Sequence, residues 1–140
     1  MSDNILHQEH SSTVTTNTSI EEQSEKLAWA IAEAADDRKA ADIVLLNVEH
    51  VSYLTDYFVI ATGFSKTQVR AISDAVQEKL EQQWEKHPLR ITGQNEGTWV
   101  VQDYGQVIVH IMLPQEREYY NLEAFWGHAE RIEFSPSDAE

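Results

Sequence analysis

Residues 56–65 read Asp-Tyr-Phe-Val-Ile-Ala-Thr-Gly-Phe-Ser. Tyr57 to Thr62 is an uncharged run of β-branched and aromatic residues, the composition of a buried strand. Gly63 ends that strand. Ser65 then caps a helix predicted over about 66–85, with Val69, Ile72, Val76 and Leu80 recurring at helical spacing on one face. Pro88 follows as a stop. Strand, glycine turn and helix cap together form the geometry with which enzymes hold phosphate, because N–H groups and the positive helix end converge on an anion. The remaining sequence decides whether any chemistry accompanies that cradle.

Outward from this stretch, the pattern predicts an α-β-β-α-β-β-β-α order. Ser19 and Glu22 have the spacing of a capping box, and Leu27, Ala30, Ile31 and Ala34 follow at helical spacing, giving a helix over about 20–38. Asp42 to Val48 is an apolar strand, and Leu89 to Thr92 a short one. Thr98–Asp103 and Gln106–Leu113 are two further strands, joined as a hairpin by the two-residue loop Tyr104-Gly105. Pro114 closes the hairpin, a helical turn is expected over 115–120, and a helix over about 121–130. One mixed sheet flanked by helices, of α/β (α+β) class, is the economical architecture. Residues 1–19 are polar, without hydrophobic periodicity, and read as a disordered tail. Residues 20–134 read as one domain, and 135–140 as a C-terminal tail.

At 140 residues and 41% hydrophobic, the chain can build one core. It has no cysteine, hence neither a disulfide nor a thiolate metal site. No apolar run reaches membrane-spanning length, and residues 1–19 lack the pattern of a signal or transit peptide, so the expected location is cytoplasmic. Ten basic and 24 acidic side chains give a formal net charge of −14. The cations are scattered rather than striped, so direct contact with nucleic acid as the main interaction is disfavoured, while a basic protein partner suits the charge.

No chemistry joins the cradle. Among the histidines only His7 and His10 are close in sequence, and no pair stands at i, i+4 on a helix as a zinc site requires. His110 alternates within an apolar strand and reads as a satisfied sheet histidine. Ser65 has Gly63 two residues before it but lacks the second glycine of a nucleophile elbow, and is explained by its cap. Nucleotidyl transfer needs two or three carboxylates on the adjoining strand to hold magnesium. The next strands here offer only Asp103, and there is no Walker lysine. The expectation is therefore a non-enzyme without metal or cofactor; the alternative is a nucleotide-binding or nucleotidyltransferase-type enzyme using residues 63–65. What remains is aromatic: Trp99, Tyr104, Tyr119, Tyr120, Phe125 and Trp126, rimmed in sequence by Glu96, Asp103, Glu116, Glu118 and Glu123. That is the composition of a protein-binding hot spot.

Several linked motifs carry a resemblance. They are Thr-Asp-Tyr-Phe-Val-Ile-Ala-Thr-Gly-x-Ser at 55–65, Ala-Ile-Ser-Asp at 71–74 and Glu-Gly-x-Trp-Val at 96–100. They continue with Asp-Tyr-Gly-x-Val-Ile-Val-His-Ile-Met at 103–112 and Arg-x-Tyr-Tyr-Asn-Leu-Glu-x-Phe-Trp at 117–126. In this order, over about residues 21–133, the chain resembles the ribosomal silencing factors, the RsfS or Iojap family. The resemblance implies a nucleotidyltransferase-like fold without catalysis. It also implies binding to the large ribosomal subunit through ribosomal protein uL-fourteen, which blocks joining of the small subunit and represses translation when nutrients are short. It assigns the partner contact to Trp99 and Tyr120, and beyond them to Asp103 and Tyr104. Gln68 and Gln106 depart from the histidine and aspartate common in the family; the second removes a charge near the expected contact. The amount of aromatic surface also suits a homodimer.

Overall fold

The computed structural model describes the backbone of residues 2–136 and the side chains of residues 20–136. Ten elements follow in order: α1 Ser2–Asp37, β1 Ala41–Asn47, β2 Tyr57–Thr62, α2 Lys66–Trp84, β3 Arg90–Thr92, β4 Trp99–Asp103, β5 Val107–Met112, α3 Pro114–Tyr120, α4 Leu122–Phe125 and β6 Glu130–Glu133. The strands form one mixed sheet in the order β3-β4-β5-β2-β1-β6. Only β2 and β5 are parallel; all other neighbours are antiparallel.

β2 occupies the middle of the sheet, and all six of its residues are buried. Its uninterrupted apolar run follows from being covered on both faces. One face packs against α1 and α2 through Leu27, Ile31, Leu45, Val59, Ile72, Leu80, Val100 and Ile111. The other gathers Val44, Leu46, Phe58, Ile60 and Met112 beneath Trp99, Leu122 and Trp126.

Four sequence expectations are revised. First, α1 starts at Ser2, so the backbone of the expected irregular tail is helical, and the capping-box spacing at 19–22 marks no helix start. No glycine or proline stands in that span to break the helix. Side chains of residues 1–19, with His7, His10 and Ser19, lie outside the described residues. Most of the expected 135–140 tail does as well.

Second, the helix expected over 121–130 is only α4. Asn121, in the left-handed region at φ 45°, separates it from α3, and β6 then begins at Glu130. Third, β6 escapes the sequence pattern because it is a charged edge strand, Glu-Arg-Ile-Glu, with only Ile132 half-buried. Fourth, the hairpin loop is Gly105-Gln106, since Tyr104 N–H donates to the Val107 carbonyl at 2.9 Å. Gly105, at φ 84°, sits where a II′ turn requires positive φ.

Candidate functional site

The 63–65 turn is closed by its own side chains. Ser65 Oγ accepts the Gln68 N–H at 3.0 Å, and Gln68 Oε1 accepts the Phe64 N–H at 2.7 Å. The same Gln68 amide donates to the Arg38 and Lys39 carbonyls, each at 3.1 Å, tying the turn to the end of α1. Gly63 N–H donates to the Met112 carbonyl. A Cβ at Gly63 would stand 2.9 Å from Val69 Cγ2 and 3.2 Å from the Val69 nitrogen, so the glycine is set by close packing of α2 on the sheet. Each of these groups has a structural partner. Among the described residues, no three His, Asp or Glu side chains gather as a metal site would.

The opposite sheet face carries an unbroken line of seven rings. Tyr119 meets Tyr120 at 4.9 Å between centroids, and Tyr120 meets Trp99 at 4.7 Å. Trp99 meets His110 at 5.9 Å, His110 meets Phe58 at 5.4 Å, Phe58 meets Trp126 at 5.3 Å, and Trp126 meets Phe125 at 5.2 Å. These tilted and edge-on spacings are those aromatic pairs prefer. The middle of the line is buried and its ends are open: Tyr119 is 80% exposed, Tyr120 51% and Phe125 78%.

Trp99 is brought here by the alternation of β4. Val100 and Gln102 turn towards α2 and are buried, while Trp99 and Val101 face the other way and are half-buried. Its indole N–H donates to His110 Nδ1 at 3.1 Å. Burial holds His110 well below the ordinary histidine range, at a pKa of about 4, so the ring is neutral and Nδ1 is free to accept.

Tyr119 and Tyr120 are held by charge. Arg117 on α3 donates to Thr62 Oγ1 at 2.8 Å and to Glu123 Oε1 at 2.9 Å, while Glu123 Oε2 pairs with Arg131 of β6 at 3.0 Å. The Arg117 hydrogen bond, reinforced by both guanidinium charges, lowers the Glu123 pKa. Glu123 is thus a brace rather than a free acidic rim group. Glu96 and Glu118 are exposed, and Glu116 has one carboxylate oxygen buried without a partner.

The structure brings Trp99 and Tyr120 together, but not Asp103 and Tyr104. Asp103 is four residues further along β4, roughly 13 Å at strand rise. It accepts the Gly105 N–H at 2.8 Å and so shapes the turn. Tyr104 is 6% exposed. Its hydroxyl donates to Gln102 Oε1 at 2.6 Å, and the Gln102 amide donates to Ser73 of α2, at 2.7 Å to the hydroxyl and 2.9 Å to the carbonyl. Burial also raises the Tyr104 pKa. Gln106, at the same end, donates to Ser24 Oγ at 3.3 Å, and Ser24 donates to Asp56 at 2.8 Å. The glutamine therefore joins the hairpin to α1, away from the Trp99–Tyr120 pair. Sequence reading left the His110–Trp99 bond unseen. Its signal is the hairpin register, which pairs Trp99 with Met112 and Val101 with His110, setting Trp99 diagonally across from His110.

A single mixed sheet flanked by helices defines an α+β class shared with solved bacterial structures. A Chromobacterium violaceum protein superposes with TM-score 0.69 at 39% identity, covering 76% of this chain and 85% of that one. A Bacillus halodurans protein gives TM-score 0.68 at 35% identity, covering 79% and 99%. The family model described as "Ribosomal silencing factor during starvation" matches residues 21–140, and the chain belongs to that family. The ribosomal silencing factor RsfS of Halalkalibacterium halodurans is 38% identical, with 78% of this chain and 92% of that protein covered. The chloroplastic protein Iojap of Zea mays is 43% identical over 76% of this chain. The chain spans about half the length of its plant chloroplast relatives, 46% of the maize protein and 50% of the Arabidopsis thaliana one.

Proposed function

We propose that the protein binds the large ribosomal subunit through ribosomal protein uL-fourteen, sterically blocks joining of the small subunit, and so represses translation when nutrients are limiting. The observation that carries this reading is the Trp99–Tyr120 contact, a half-open, tilted aromatic pair at the start of β4. Aromatic pairs of this kind dominate binding energy at protein interfaces. Exposed Glu96 and Glu118 and the net charge of −14 favour approach to a basic protein.

Occupying an intersubunit surface excludes the other subunit by volume and needs no covalent step, so the proposed role is non-enzymatic and requires no cofactor. Among the described residues no helix is long and apolar enough to cross a membrane. The proposed site of action is the cytoplasm, on the cell's own ribosomes; a homodimer in the unbound state is compatible with the open aromatic surface.

The decisive measurement is subunit joining with purified large and small subunits and added protein. Joining falls in a dose-dependent way. Trp99→Ala and Tyr120→Ala each relieve the block and weaken large-subunit co-sedimentation by about 30-fold or more, the equivalent of ~2 kcal/mol, with the fold intact. Full binding by both variants overturns the site. A thermal shift with nucleotide and magnesium that vanishes on changing Asp103 supports the enzyme instead.

A further inference from the structure

We infer that His110 is the positioning residue of the Trp99–Tyr120 pair, its unprotonated Nδ1 holding the indole so that the aromatic face stands assembled before a partner arrives. This rests on the reading of the aromatic face as the partner-binding surface.

The indole N–H of tryptophan is a donor only, and it needs an acceptor when it is withdrawn from water. The side chains flanking His110 on the same face of β5 are Ile108 and Met112, neither of which accepts a strong hydrogen bond. His110 Nδ1, 3.1 Å away, is the acceptor. Trp99 is only half-buried, so without that bond its indole can turn outward and take a water. Turning outward breaks the 4.7 Å tilted ring contact with Tyr120.

Filling space alone does not account for a histidine here. The edge contact to Phe58 at 5.4 Å would be made equally by a phenylalanine, without burying a polar ring. The feature specific to histidine is the nitrogen facing Trp99. Because the indole donates to Nδ1, the imidazole proton must sit on Nε2. A partner then meets a pair already ordered, and the entropy of fixing Trp99 is removed from the binding step.

The test uses the full chain labelled with nitrogen-15. In the wild-type protein, long-range nitrogen–proton spectra of His110 show the Nε2–H tautomer; an Nδ1–H tautomer overturns the inference without any variant. In His110→Phe, the Trp99 indole resonance, assigned by its loss in Trp99→Phe, moves towards the free-indole position and exchanges faster with water. Large-subunit binding weakens about tenfold, the size of one net hydrogen bond. His110→Asn, whose Oδ1 stands where Nδ1 stood, restores both readouts. A displaced indole with undiminished binding overturns the positioning role, provided that Trp99→Ala does lose binding. Equal loss in His110→Phe and His110→Asn, with the indole unmoved in both, assigns His110 to packing alone. Normal binding by Trp99→Ala instead brings down the aromatic-face reading, a different failure from either of these.

Discussion

The two faces of the sheet are closed to different degrees. The face under α1 and α2 is mostly aliphatic and closed, with Leu27, Ile31, Leu45, Ile72 and Leu80 wholly buried. The face under α3 and α4 has an aliphatic floor of Val44, Leu46, Ile60 and Met112, but a line of rings crosses it and runs out to exposed Tyr119, Tyr120 and Phe125. Aliphatic side chains interdigitate to native density and stabilise one packed state. Rings at an open edge leave apolar area uncovered, which in the proposed function is the area a partner takes up. Under the proposed function, the difference assigns stability and recognition to opposite sides of the same strands.

The largest effect that could break this division is on the closed face. Leu45→Ala should cost ~2–5 kcal/mol in denaturant unfolding, while the folded fraction still binds large subunits normally. Loss of binding in proportion to nothing but Leu45 would merge the two faces functionally.

Acid probes the aromatic face. His110 is neutral when folded and protonates more readily once unfolded, so its contribution is complete above about pH 6.5 and falls away towards pH 4. The loss approaches ~3 kcal/mol at pH 4, read as the difference in unfolding free energy between wild type and His110→Asn across that range. Carboxylates titrate in both proteins, so the difference isolates the histidine.

Tyr104→Phe sharpens the boundary at the hairpin turn. It leaves Gln102 Oε1 without its donor and should cost ~1–3 kcal/mol of stability, with large-subunit binding unchanged. Weakened binding by a stable Tyr104→Phe protein would return this residue to the partner contact. The smallest effect is at the rim. Glu96→Gln with Glu118→Gln should slow association by a few-fold at low salt and leave dissociation alone, in stopped-flow or surface-binding kinetics.

The elements around residues 56–65 were plain in the sequence because local rules coincide there. An uncharged strand, Ser65 at its cap and Val69, Ile72, Val76 and Leu80 at helical spacing all became β2 and α2. β6 was not plain, because an edge strand of alternating charge carries no apolar pattern and is defined only by pairing with β1. The start of α1 was misplaced for the converse reason: a capping-box spacing can occur inside a helix that nothing interrupts. At the site, the aromatic composition marked six residues together, and the family resemblance singled out Trp99 and Tyr120 among them. Motif continuity also carried along Asp103 and Tyr104, which the hairpin places at its other end.

The sequence alone determined the family, the mixed sheet and the absence of paired carboxylates beside the 63–65 turn, since motifs, periodicity and residue types are local properties. Tertiary structure decided what those residues do. Gly63 proved to be a packing contact with Val69, because only the fold brings α2 that near. Gln68 and Ser65 take the Phe64 and Gln68 amides, so side chains of the turn and helix occupy two donors of the phosphate-cradle outline. Trp99 and Tyr120 lie 21 positions apart in the chain and form one tilted ring pair only when α3 folds back over the start of β4, braced by Arg117 and Glu123.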